Sequence, residues 1–199
     1  PLHVQYLSFL GGLLQGDTGR SLVYRTPAFG VVADRLPATI ELTIMAMAIA
    51  ITFAIPLGVI AALYRGTAVD GGIMALAMVG QSIPSFWLGI MLILFVGLGL
   101  SWLPISGHVP VIQPFLQGDV GTAFRNIPEA LRYLIMPAFT ISLFSLSRNA
   151  RLVRSTMLEV LSQDFVRTAR AKGIKGWSVV VHHALRNAWM PVVTMLGLE

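Results

Sequence analysis

From Leu42 to Leu63 the chain reads LTIMAMAIAITFAIPLGVIAAL, with no charged residue. A helix needs about 20 apolar residues to cross a hydrocarbon core, so this run is long enough for one crossing. A second run, Ile73–Leu103, is also uncharged, and a third, Tyr133–Ser147, is shorter. Charged residues make up 12% of the chain and hydrophobic residues 55%, whereas a typical soluble domain is ~25% charged. Mean hydropathy is +0.76. These features predict an all-α, polytopic membrane protein. They exclude a soluble nucleic-acid binder despite the net charge of +5 and a pI near 10.2. The chain has no cysteine, which excludes disulfides, thiolate metal sites and cysteine nucleophiles.

Residues 1–37 are mixed in character. Val4–Leu14 carries apolar residues at roughly helical spacing, and GDTGRS (Gly16–Ser21) reads as a turn. A first span is expected over residues 38–64, with Pro56 and Gly58 inside it; membrane helices tolerate these where neighbours pack against the kink. Tyr64–Gly66 and Asp70–Gly72 form a short polar connection in this reading, with Asp70 in a tight turn. A second span is expected over 72–103, broken near its middle by Ser82, Pro84 and Ser85 and ended by Trp102, an interfacial aromatic. Residues 104–132 are polar, contain Pro and Gly, and read as a loop. The third apolar run is roughly 22 Å of helix, short for a crossing. It is expected to continue through Arg148, Arg151 and Arg154 to give a span over 133–158. Those arginines either snorkel to the interface or face protein. A further span begins at 188. The start, PLHVQYLSFL, lacks an initiator Met and a basic leader, and the end, MLGLE, stops inside an apolar run. Both read as cut ends of a longer chain.

Orientation follows from the basic residues. Of 14 Lys and Arg, eight fall in residues 148–186: Arg148, Arg151, Arg154, Arg167, Arg170, Lys172, Lys175 and Arg186. The excess of positive charge puts this segment in the cytoplasm. Residues 1–37 and 104–132 then face outward. Within the basic segment, Asp164–Lys172 is predicted to be a short helix stopped by Gly173. Lys175-Gly176-Trp177 turns the chain, and Val179–Asn187 starts a second helix that runs into the next span. A helix–Gly–helix element on the cytoplasmic face of a bundle suits the docking of a soluble partner.

The segment DFVRTARAKG (Asp164–Gly173), followed by HALRNA (His183–Ala188) and Pro191, resembles the cytoplasmic coupling loop of ABC-transporter permease subunits. The resemblance is to the branch serving dipeptide, oligopeptide and nickel importers. GDTGRS, RLPATIEL (Arg35–Leu42), IPSFWLG (Ile83–Gly89), WLPISG (Trp102–Gly107) and RLVRSTMLEVL (Arg151–Leu161) are similar to that branch in the same order. The wider superfamily carries E-A-A-x-x-x-G. Here those first positions are Arg167, Thr168 and Ala169, so only the second Ala and Gly173 survive, and the later Leu-Pro of the motif aligns with Leu185-Arg186. Both departures belong to the peptide and nickel branch itself.

The resemblance implies a type I ABC importer permease fold in one transmembrane domain, 1–199, lacking the branch's first and last spans. It implies a coupling loop over 159–187 containing Asp164, Arg167, Thr168, Ala169, Arg170, Ala171, Lys172, Gly173, His183, Ala184, Leu185, Arg186 and Asn187. The implied partners are a homologous second permease, two ABC ATPase subunits or domains, an extracytoplasmic binding protein and the lipid of a bacterial or archaeal cytoplasmic membrane. ATP and Mg would bind at the ATPase. No GxxxxGK[ST] phosphate cradle occurs in this chain, and no catalytic residue or bound cofactor is expected. The implied cargo is a di- or oligopeptide, with nickel, nickel chelates or glutathione as the alternative. Gln81, Ser82, Pro84 and Ser85 either line the translocation path or form a packing kink. His182-His183 are poor partners for one metal ion, because adjacent helical residues point about 100° apart. A secondary transporter would need ionisable groups within the spans, and the two long runs have none. A membrane enzyme would need paired carboxylates or a nucleophile with its base, which Glu129, Glu159 and Asp164 do not supply.

Overall fold

The computed structural model describes residues 1–174 and 176–197. Lys175, and residues 198–199 of the span expected from 188, lie outside the described residues. In chain order the helices are α1 (Leu2–Leu14), α2 (Ala28–Leu63), α3 (Ala68–Ser82), α4 (Ser85–Leu92), α5 (Ile112–Leu116), α6 (Val120–Leu161), α7 (Asp164–Ala171), α8 (Gly176–Ser178) and α9 (Arg186–Leu196). Wider π-helical turns extend α4 over Ile93–Gly99 and join α8 to α9 over Val179–Leu185. Among the described residues two helices, α2 and α6, are long and apolar enough to cross a membrane. The pair Ala68–Ser82 and Ser85–Gly99 meets the same test together but is bent by 97°.

The chain forms two compact units, Pro1–Thr43 with His108–Leu131, and Ile44–Gly107 with Arg132–Glu199. In the first, the GDTGRS turn caps α2. The Thr18 hydroxyl accepts the Phe29 N–H at 3.1 Å, and the Gly19 carbonyl accepts the Ala28 N–H at 2.9 Å. These bonds satisfy two of the donors that a helix start leaves open. They explain why α2 begins ten residues before the expected boundary at 38. Residues 120–132, expected as loop, are the start of α6. Asp119 caps that helix by accepting the Thr122 N–H at 3.0 Å. Hydrogen bonds from the Thr122 hydroxyl and backbone hold the Asp119 carboxyl below its usual range. Ala123 and Ala130 are buried along the helix, a helical spacing that Gly121 and Pro128 obscure in the sequence.

In the second unit, small residues on α2 at four-residue intervals (Ala46, Ala50, Ala54, Gly58, Ala62) allow close helix packing. A Cβ on Gly58 would lie 2.6 Å from the Ala150 carbonyl oxygen and 2.6 Å from Val153 Cβ. The backbones of α2 and α6 therefore approach closely there. Val59, Ala62, Val153, Met157, Val160, Val180, Ala184 and Ala188 form the core. It joins α2, the last turns of α6 and the segment after α8.

Candidate functional site

Helix α7 is short, and its two faces differ sharply. Val166 and Ala169 are buried against Val179, with Leu161 and Ile174 packed alongside. Asp164, Arg167, Thr168, Ala171 and Lys172 are exposed. Asp164 and Arg167 lie one turn apart with a 3.5 Å ion pair, and their side chains are 94% and 77% exposed. Such a pair adds little stability, so both groups are free to meet a partner. The Thr168 hydroxyl is turned back onto the Asp164 carbonyl at 3.0 Å.

The helix ends as the sequence predicts. Gly173 adopts φ +75°. The Ile174 N–H reaches back to the Ala169 carbonyl at 3.3 Å, and the Lys172 N–H to Thr168 at 3.0 Å. This is a Schellman-type stop, completed by the apolar Ile174 on the α7 core. It turns the chain sharply beneath the helix and leaves the charged face outward.

The remaining loop residues divide. Ala184 is buried and Leu185 half-buried, both in the core with Val153 and Met157. Arg186 and Asn187 are exposed. The backbone of Arg170 and His183 follows α7 and the π-helical turn; their side chains lie outside what is described. His182 Nδ1 lies 3.5 Å from the Ser178 hydroxyl. Among the described residues no three His, Asp or Glu side chains gather within reach of one metal ion.

The four residues of the predicted break do not gather at one site, although Ser82 and Pro84 border the same groove. Gln81 accepts a hydrogen bond from the Arg151 guanidinium. Ser82 is turned onto the Met78 carbonyl of its own helix at 2.9 Å, so its hydroxyl is already used. Pro84 lies in an open apolar groove with Met78, Phe86 and Trp87. Ser85 lines a cavity of about 390 Å³ walled by Phe86, Ile105, Tyr133, Met136 and Thr140. The structure thus brings Ser85, but not the other three, to this cavity.

Sequence reasoning missed the polar ties. Asp70 lies in the first turn of α3, not in a tight turn. It is buried and receives both Arg154 Nε, at 2.5 Å, and Arg154 Nη2, at 2.7 Å. The Gly66 N–H donates to the same carboxylate at 3.0 Å. Arg151 and Arg154 therefore face protein. In the first unit Glu41 accepts the Val111 and Ile112 N–H groups at 2.8 and 2.7 Å. His108 Nε2 donates to its other oxygen at 2.8 Å. The one sequence signal for these ties was a lone carboxylate at the edge of each apolar run.

Residues 54–199 match the family described as binding-protein-dependent transport system inner membrane component. Over its full length the chain is 42% identical to the di/tripeptide transport system permease protein DppB of Pseudomonas aeruginosa (strain UCBPP-PA14), covering 62% of that protein. It is 38% identical over its full length to the dipeptide transport system permease protein DppB of Escherichia coli (strain K12), again covering 62% of the relative. The chain thus spans about three-fifths of the length of the curated relatives it matches. The matched range takes in the end of α2, the bent pair and all of α5–α9. The chain therefore belongs to the family of binding-protein-dependent transport system inner membrane components, with the helical permease fold of type I ABC importers.

Proposed function

We propose that the chain is the membrane-spanning permease subunit of an ATP-driven importer of di- or oligopeptides, which an extracytoplasmic binding protein delivers. In this reading α7 is the coupling helix. The observation that carries it is the division of α7 into a face buried on Val179 and a face presenting Asp164, Arg167 and Lys172 to solvent. A helix held on one side and charged on the other suits a groove in a soluble subunit. The names of the relatives, di/tripeptide and dipeptide transport permeases, favour peptide cargo.

The mechanism divides the work. Two ATPase subunits bind ATP and Mg and close around the nucleotide. Their closure displaces α7, and the helices continuous with it switch the bundle between inward- and outward-facing states. The free energy comes from differential nucleotide binding to two states of the assembly. A second, homologous permease completes the path. The basic residues around α7 support a cytoplasmic position for that face of a multi-pass protein, by the positive-inside rule. The cavity beside Ser85 contributes part of the passage.

Affinity purification of the detergent-solubilised complex, followed by proteomics, tests the reading. The expected result is recovery of an ATPase subunit, lost when residues 167–173 are scrambled. Recovery of no ATPase from a folded bundle would show a standalone membrane protein and end the proposal. A co-purifying binding protein, titrated with dialanine and with Ni²⁺, separates peptide from nickel cargo.

A further inference from the structure

Helix α3 is fastened to α6 at both ends. At its base, Asp70 takes the Arg154 fork through two hydrogen bonds. In its last turn, Gln81 takes Arg151. Asp70 and Gln81 are about three helical turns, or ~16 Å, apart and therefore share one face. Beside the Gln81 tie the two helices touch directly. Ala77 and Gly80 are buried, and a Cβ on Gly80 would strike the Ser147 hydroxyl and the Leu143 side chain of α6. The ties at its two ends and this close contact beside Gln81 oppose sliding of α3 on α6.

The far ends of this pair are notable. Helix α6 passes through Ser162 and Gln163 directly into α7, the Val166 N–H bonding back to the Gln163 carbonyl at 3.1 Å. Its last turns share a core with Val180 and Ala184. Helix α3 runs, one residue after Gln81, into the 97° bend that opens onto α4 and the Ser85 cavity. We infer that the Asp70–Arg154 fork is a positioning joint that locks α3 to α6, so that displacement of α7 is delivered as one rigid movement to the bend. This rests on the importer reading above. Both residues act through the helices they join. The fork has a chemical reason to be Arg. Its planar guanidinium fixes orientation as well as distance, which an ammonium does not.

The test uses the complete complex in proteoliposomes, with binding protein and radiolabelled dialanine as probe. The chain is free of cysteine, so single pairs can be spin-labelled cleanly. With labels at Met78→Cys and Phe144→Cys, the distance between α3 and α6 should be the same in nucleotide-free and vanadate-trapped complexes. With labels at Met78→Cys and Phe95→Cys, across the bend, it should change. Equal changes in both pairs would overturn the inference, and this measurement needs no alteration of the fork. In parallel, Asp70→Asn and Arg154→Lys should keep binding-protein-stimulated ATP hydrolysis within about twofold while dialanine uptake falls about tenfold, within the usual range of coupling energies. The exchanged pair, Asp70→Arg with Arg154→Asp, should recover uptake. An unchanged ratio of uptake to hydrolysis in the single variants would refute the joint. If the single variants fail to assemble, the spin-label distances alone decide. A wild-type complex without stimulated hydrolysis would instead remove the importer reading, and this inference with it.

Discussion

Replacing Gly173 tests the end of α7 and separates backbone from contact effects. Gly173 sits at φ +75°, and a Cβ built there meets no atom within 4 Å. The cost of a side chain within this chain is therefore purely conformational. For Ala in the left-handed region that cost is about 1–2 kcal/mol. Asn tolerates the region better, through local hydrogen bonding, and should cost less. Asp adds a negative charge beside a helix C-terminus, unfavourable by about 0.3–1 kcal/mol more. Asn is therefore expected to do the least damage, with Asp above Asn by its charge penalty and Ala above Asn by its full conformational cost. A loss of 1–2 kcal/mol raises the open population of the last turn about 5- to 30-fold. Hydrogen exchange at the Lys172 and Ile174 amides, both bonded back into α7, reads that opening directly. The affinity of the reconstituted permease for its ATPase should fall in the same order. If Ala and Asn weaken docking equally while exchange is unchanged, the glycine serves close approach of the partner, and the capping argument is wrong. If Ala changes neither quantity, the left-handed turn is not what holds α7.

Two further outcomes follow from the packing and the hydrogen bonds. Gly58→Ala puts a Cβ 2.6 Å from the Ala150 carbonyl oxygen and Val153 Cβ, so overpacking should cost about 1–3 kcal/mol; a thermal melt in detergent showing no loss would contradict the close α2–α6 approach. Glu41→Gln keeps one acceptor oxygen but removes the charge behind three hydrogen bonds; exchange of the Val111 and Ile112 amides should rise about tenfold, near 1.4 kcal/mol, and unaltered protection would show that Glu41 does not hold the start of α5.

How much of this could be read from residues depends on the range of the forces involved. Helix α7 and its stop were legible because every cause is local. Asp164 leads the helix, Val166 and Ala169 fall three apart on one face, and Gly173 supplies the one conformation that ends it. The break near Pro84 was legible for the same reason, since proline removes a donor and fixes its own φ. The starts of α2 and α6 were not. Their caps come from Thr18 and Asp119, and the proline- and glycine-bearing turns that follow conceal the helical period. Least legible were the fates of Asp70 and Arg154. Read locally, an Asp three residues before the start of the run Ile73–Leu103 and followed by two glycines is a turn residue, and three arginines at three-residue spacing either snorkel to the interface or face protein. The ion pair that joins them spans 84 positions, and no periodicity carries information over that distance. Yet a constraint was present. The chain has nine acidic residues, and the long apolar runs exclude all of them, so a carboxylate at the edge of a run must find a cation or remain in water. Arg151 and Arg154, placed on a helix too apolar to end where its charges begin, needed acceptors in turn. The two demands meet at α3 and α6. A polar residue at the margin of a membrane run is therefore better read as half of a long-range pair than as a loop residue, and the pair found this way joins the helix that runs into α7 to the helix that runs into the bend.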